Sequence, residues 1–131
     1  MKKIGILNQP ISSVIAGLGH TDTLVIADAG LPIPPGTQRI DLALTEGIPT
    51  FLDTLRAILT EMQVERAIVA EEMIDASPQV YKALVEMVQN IPVETMTHLM
   101  FKEQTRSARA VIRTGEFTPY ANVILVAGVV F

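Results

Sequence analysis

Two imidazoles are the natural starting points for proton-transfer chemistry in this chain, His20 and His98, because histidine alone among side chains ordinarily titrates near neutrality. His20 follows Gly17-Leu18-Gly19 and precedes Thr21-Asp22, past the expected end of a helix and ahead of an expected strand. Two readings fit that place. The ring caps the helix, where an imidazolium meets the negative end of the dipole, or it is a proton donor working near neutral pH, a role the same dipole suits. His98 opens an expected helix and reads first as a surface residue. Asp28 closes a strand ahead of Ala29-Gly30. It either lines the crevice that open α/β sheets form at the carboxyl ends of their strands, or it bonds backbone amides in a turn. Glu71 and Glu72 end another strand, where a solvated role suffices for at least one of them, and Asp41, on the polar face of its strand, can as easily pair with Arg39 or a neighbour.

A second set of groups lies in one stretch, Arg113-Thr114-Gly115-Glu116-Phe117-Thr118-Pro119-Tyr120-Ala121-Asn122, between the apolar runs Ala110–Ile112 and Val123–Val126. A hairpin tip needs only a few residues with glycine or asparagine. This connector carries a guanidinium, a carboxylate, a phenol and an amide, the groups that hold a small polyhydroxylated or anionic ligand.

The elements that must position these groups follow from periodicity. Pro10 to Leu18 has apolar residues at helical spacing, and Leu24–Ala27 is a buried strand. Residues 30–36 hold three prolines and two glycines and form a loop. Arg39–Leu44 alternates like a half-buried strand. Ile48 to Met62 reads as a helix with Pro49 in its first turn, and Ala67–Ala70 as a buried strand. Ser77-Pro78 is a good N-cap and N1 pair for a helix to about Gln89. Pro92–Met96 suggests a short strand, and Thr97 caps a helix from His98 to about Arg106. The two apolar runs near the end form a final hairpin. This alternation predicts a single α/β/α layered domain over residues 1–131 with a mostly parallel, mixed central sheet.

Composition narrows the classes. The chain has 131 residues, of which 49% are hydrophobic and 18% charged, with a mean hydropathy of +0.38. No run is long enough to span a membrane and no signal core opens the chain, so the apolar surplus points to burial between subunits and the cytoplasm is the expected compartment. A net charge of −4 and no Lys/Arg cluster argue against nucleic acid. Cysteine is absent, which removes disulfides, thiolate metal sites and a thiol nucleophile, and two histidines outside any spaced motif are a poor metal set. Gly17-Leu18-Gly19 ends a helix rather than opening one, so it is not a phosphate loop. Ser12-Ser13 lacks a nucleophile elbow. Acid–base chemistry on a neutral polar ligand, or binding alone, remains.

Four segments taken together, Gly19–Asp22, Asp28–Pro32, Arg39–Asp41 and Ile112–Asn122, closely resemble the RbsD/FucU family of sugar mutarotases. The likeness runs from Met1 to Phe131, with residues 75–97 carrying nothing matched. Pro119 before Tyr120, and Ala121 where the fucose branch has glycine, resemble the ribose branch. The resemblance implies an isomerase with no cofactor or metal that exchanges the pyranose and furanose forms of D-ribose, and its anomers, supplying furanose to ribokinase beside a ribose transporter. It also implies His20 as proton donor, sugar contacts at Asp28, His98, Tyr120, Ala121 and Asn122, and a ring-shaped homodecamer with sites between subunits.

The chemistry agrees with that assignment. A cyclic sugar opens when its anomeric hydroxyl loses a proton and its ring oxygen gains one. Imidazole and carboxylate serve the transfer, and Tyr and Asn add directional hydrogen bonds. Asp28 would orient His20 or a sugar hydroxyl, and Arg113 and Glu116 would form an ion pair bracing the turn. A mutarotase for fucose or another sugar, and a non-catalytic sugar-binding component of a transport system, stay open as alternatives.

Overall fold

The structure, a computed structural model, describes residues 1–131. Six strands form one sheet: β1 Thr23–Ala27, β2 Gln38–Asp41, β3 Val64–Ala70, β4 Val93–Met96, β5 Ala110–Arg113 and β6 Val123–Ala127. The helices are α1 Gln9–Gly17, α2 Phe51–Leu59, α3 Glu72–Ala76, α4 Pro78–Met87 and α5 His98–Gln104, the last followed by a 3-10 turn at Thr105–Ser107. The strand order is β2-β5-β1-β6-β3-β4. Five strands run parallel and β6 alone runs against its neighbours β1 and β3.

Side-chain alternation divides the core into two layers. Leu24 and Ile26 of β1 join Phe51, Leu55 and Ile58 of α2 and Leu84 of α4 in a cluster of 20 buried residues. Val25 and Ala27 face the other way into a smaller cluster of 9, where Phe101 of α5 is the one aromatic residue. The α/β/α layering and the mostly parallel, mixed sheet therefore stand, with unequal layers.

Several local expectations change. The last two strands are not a hairpin: β1 lies between β5 and β6, parallel to one and antiparallel to the other. The α2 helix starts at Phe51, after a cis Ile48–Pro49 bond and an N-cap at Thr50 whose hydroxyl accepts from Asp53 N; Pro49 thus precedes the first turn. Ser77 stands ahead of α4, but its hydroxyl makes no cap bond. It donates instead to the Pro119 carbonyl, tying the α4 start to the connector. Strand β2 ends at Asp41 and leaves Leu44 exposed. Thr97 does cap α5, accepting from Met100 N at 3.2 Å.

The connector after β5 is pinned by its own polar groups. Arg113 bonds both oxygens of Asp41 at 3.2 Å and the Ala29 carbonyl at 3.0 Å. Glu116 accepts from Phe51 N at 3.0 Å, satisfying a free amide at the start of α2, and from the Thr118 hydroxyl at 2.9 Å. The expected Arg113–Glu116 ion pair is replaced by these separate anchors. Between them, Gly115 passes so close to the loop before α2 that a Cβ would meet Ile48 O at 2.6 Å and Ile48 N at 2.7 Å. Gly115→Ala is expected to destabilise the fold by about 1–3 kcal/mol, as overpacking does, seen as a lower urea midpoint with an unchanged m-value.

Candidate active site

The carboxyl ends of the five parallel strands gather most of the functional groups that the sequence pointed to. Asp28 leaves β1, Asn122 enters β6 and His98 follows β4. Asp28 and Asn122, 94 positions apart, bond reciprocally: Asp28 N donates to Asn122 Oδ1 at 2.8 Å, and Asn122 Nδ2 donates to Asp28 Oδ2 at 3.0 Å. The other Asp28 oxygen accepts from Gly30 N at 2.9 Å. Asp28 therefore bonds a nearby backbone amide, as the turn reading expects, while standing at the carboxyl end of β1. Asn122 is fully buried, so its amide serves mainly to set the carboxylate.

His98 is the first residue of α5, and its backbone N–H donates to the Glu72 carboxylate at 2.9 Å. Tyr120 meets the imidazole edge-on, with ring centroids 4.9 Å apart, while Phe101 stacks on it at 6.3 Å. His98 Nδ1 is buried and no group of the chain bonds it, and a buried polar nitrogen left without a partner costs free energy. A cleft of about 290 Å³ is lined by Asp28, Gly30, Leu31, His98, Pro119 and Tyr120. Ala121 packs its methyl group in the core and can offer a ligand only backbone atoms. Glu72 fixes the helix start under His98; the sequence left it undistinguished from Glu71, of which pair at least one was expected to be solvated, and its position just past β3 was the one available signal.

His20 is not at this end. It lies ahead of β1, and the five residues of β1 alone separate it from Asp28 by roughly 17 Å. There its Nε2 meets Glu65 Oε2 at 2.9 Å, beside a cleft of about 440 Å³ lined by Leu18, Met62, Val130 and Phe131 among others. The C-cap of α1 is Leu18, not His20. Asp22 clamps the turn around His20, accepting from Gly19 N at 2.8 Å and pairing with Arg109 at 3.1 Å. These contacts, the Gly19 amide foremost, hold the Asp22 carboxyl below its usual range. Within one chain, Asp28 therefore does not touch His20.

Both ends carry strained backbone. Thr21, next to His20, has φ +68°, and Tyr120 has φ +60°. These are the two non-glycine residues in the left-handed region, each costing about 1–3 kcal/mol. No three His, Asp or Glu side chains converge at metal-binding distance.

The sequence pattern of the RbsD/FucU transport protein family matches residues 1–130. The chain belongs to this family. Among its relatives, the D-ribose pyranase of Laribacter hongkongensis is 59% identical and that of Coprothermobacter proteolyticus 56%, each over 131 residues and the full length of both chains. The structure of Bacillus subtilis RbsD complexed with D-ribose superposes with a TM-score of 0.98 at 50% identity, covering both chains completely. The RbsD/FucU fold is thus present over the whole length, with residues 75–97 forming α4 and β4 within it.

Burial lowers the His98 pKa below its ordinary 6.5; Lys102 adds to the effect, while Glu72 and Asp28 oppose it. His98 is then neutral at pH 7. For a depressed histidine the unfolded chain takes up its proton first, so the stability contribution is complete above pH 6.5 and declines as pH falls through that value toward the lowered one. His98→Gln is expected to flatten this part of the stability–pH curve, and an NMR titration of wild type to give a His98 midpoint under 6.5.

Proposed function

We propose that this protein is a D-ribose pyranase, interconverting the pyranose and furanose forms of ribose and its anomers by acid–base ring opening, without cofactor or metal. The observation that carries the reading is the group at the carboxyl end of the sheet. A fixed carboxylate, a neutral imidazole with an unmet nitrogen and a tyrosine edge line one small cleft. These groups suit a neutral polyol, because each accepts or donates to hydroxyls without reacting. Full-length identity to D-ribose pyranases supports ribose as the polyol.

In this reading Asp28, His98, Tyr120, Asn122 and the Ala121 backbone hold the sugar, and His20 is the acid. His20 protonates the ring oxygen as the bond to the anomeric carbon breaks, while the anomeric hydroxyl gives its proton to a carboxylate or to water. Closure through a different hydroxyl changes ring size, and closure on the other carbonyl face changes the anomer. The furanose so made is the form a ribokinase would consume in the cytoplasm.

The acid and the sugar-holding groups lie at opposite ends of β1, so a complete site needs two copies. A contact that joins unlike ends is heterologous, and it closes into a ring when the rotation allows. Apolar residues stand exposed at both ends, with Phe131 and Val130 near His20 and Leu99, Met100 and Phe117 at the other, and they supply what such a contact buries. A homodecamer built from rings is consistent with this arrangement.

Two measurements test the reading. His20→Ala should slow pyranose–furanose exchange by about 10²–10⁴-fold, as loss of a general acid does, measured by NMR saturation transfer on ribose with fucose as comparison sugar; wild-type speed in the variant would remove His20 from the chemistry. Mixing inactive His20→Ala and Asn122→Ala chains, dissociated and reassembled together, should restore part of the activity. Hybrids as inactive as their parents would mean that each site is built from one chain.

A further inference from the structure

We propose that Glu65 is the positioning residue for His20: its carboxylate holds the imidazole through Nε2 and leaves Nδ1 as the nitrogen that meets the sugar. The inference rests on the acid role given to His20 above and adds the group that aims it.

Four features of the fold converge on this pair. The first is a bulge in β3. Val64 pairs with Ala127 and Arg66 with Val126, so β3 takes two steps where β6 takes one, and Glu65 is the extra residue. Bulges re-aim one side chain and are frequent beside active sites. The second is Gly128, just past β6, where an added Cβ would meet the Glu65 Cβ at 3.1 Å and its backbone N at 3.4 Å. A larger residue there would press on the bulge. The third is the left-handed Thr21, whose N–H donates to the Ala127 carbonyl at 2.9 Å and so anchors the His20 turn to the strand that the bulge pairs with. The fourth concerns the neighbouring carboxylates. Glu61 is held by Ile6 N at 2.8 Å and Lys2 at 3.3 Å, and Asp22 by Gly19 N and Arg109. Glu65 bonds His20 alone.

Stability does not account for this arrangement. The pair is exposed, 53% for the His20 side chain and 37% for Glu65, and such pairs contribute little. A bulge, a close glycine and a strained threonine are a large structural outlay for a surface ion pair. Their common effect is the direction of one imidazole.

The chemistry follows from the tautomer. Accepting from Nε2 requires a proton there, so neutral His20 carries its lone pair on Nδ1, and the imidazolium carries a second N–H at Nδ1. Nδ1 can then give its proton to the ring oxygen as the ring opens and take one back from the hydroxyl that closes the new ring. Carboxylates that orient a catalytic imidazole by its other nitrogen act in the same way in hydrolases.

The experiment compares Glu65→Ala and Glu65→Gln with wild type in the assembled protein. The readouts are ribose exchange by saturation transfer, ribose affinity, and the ¹⁵N signals of the His20 imidazole, which report the protonated nitrogen. Glu65→Ala should keep ribose affinity within about twofold and lose exchange rate by on the order of tenfold or more, part of what general acid catalysis supplies. Its imidazole signals should lose the fixed Nε2–H pattern. Glu65→Gln, which keeps an acceptor oxygen, should recover much of both. A wild-type exchange rate in Glu65→Ala overturns the proposal, and so does a slowed variant whose imidazole signals are unchanged. If wild type itself failed to accelerate ribose exchange, the ribose reading would fall, and the imidazole signals would still decide whether Glu65 sets the tautomer of His20.

Discussion

Strand β6 runs against the other five, in the middle of the sheet, and both groups of candidate functional residues depend on that reversal. Because it is antiparallel, its first residue, Val123, pairs with Ile26 near the end of β1, and its last, Ala127, pairs with Val64 at the start of β3. Asn122 therefore arrives beside Asp28, and Ala127 beside the His20 turn. A parallel strand in the same slot would put its entry at the amino end and its exit at the carboxyl end, and neither contact would form. The long connector from β5 exists to make this reversal possible, since it must cross over β1 at the carboxyl end before the chain turns back.

That connector is held rigid before any ligand arrives. Arg113 reaches Asp41 and Ala29, the Thr114 hydroxyl bonds the Ala27 carbonyl at 2.7 Å, and Glu116 holds the first amide of α2. Ser77 ties its far end to α4. Each bond joins a different element, so the strained Tyr120 and the buried Asn122 are over-determined by their surroundings. Fixing the turn in advance removes an entropic cost from binding. The stretch also divides its labour: the groups near β5 brace the turn, Tyr120 lines the cleft, and Asn122 sets the Asp28 carboxylate.

The elements were legible in the sequence because each is a local pattern. The apolar spacing of Phe51, Leu52, Leu55 and Leu59, the run Ala67–Ala70, and Thr97 ahead of His98 all read correctly from period and cap chemistry. What escaped was non-local. Nothing in the residues between β5 and β6 says that β1 will sit between them, since a buried strand looks alike whichever neighbours it pairs with. Ser77 has the sequence of an N-cap, yet its hydroxyl found a partner 42 positions away. Glu65 drew no notice and Glu72 could not be told from Glu71, because an acidic residue flanking a buried strand is ordinarily solvated. Only the bulge at Glu65 and the start of α5 over Glu72 distinguish them, and both are properties of pairing and packing. Candidate residues could be named one by one; their separation into two groups needed the sheet.

That separation bears on why strain sits where it does. A protein that completes its site within one chain can strain a single loop and let the rest relax. Here Thr21 and Tyr120 are strained at opposite ends of the sheet, and neither relieves the other through any contact within the chain. Each is held by its own set of bonds: Asp22, Gly19 and Ala127 around the first, the connector's anchors around the second. Two rigid half-sites of this kind are what a shared site between copies requires, because two surfaces that meet by rigid-body docking reach working geometry only when each is already shaped. A flexible half would have to order on association and would weaken the contact by that entropy. The independent bracing of the two ends is therefore what the proposed two-chain site would need.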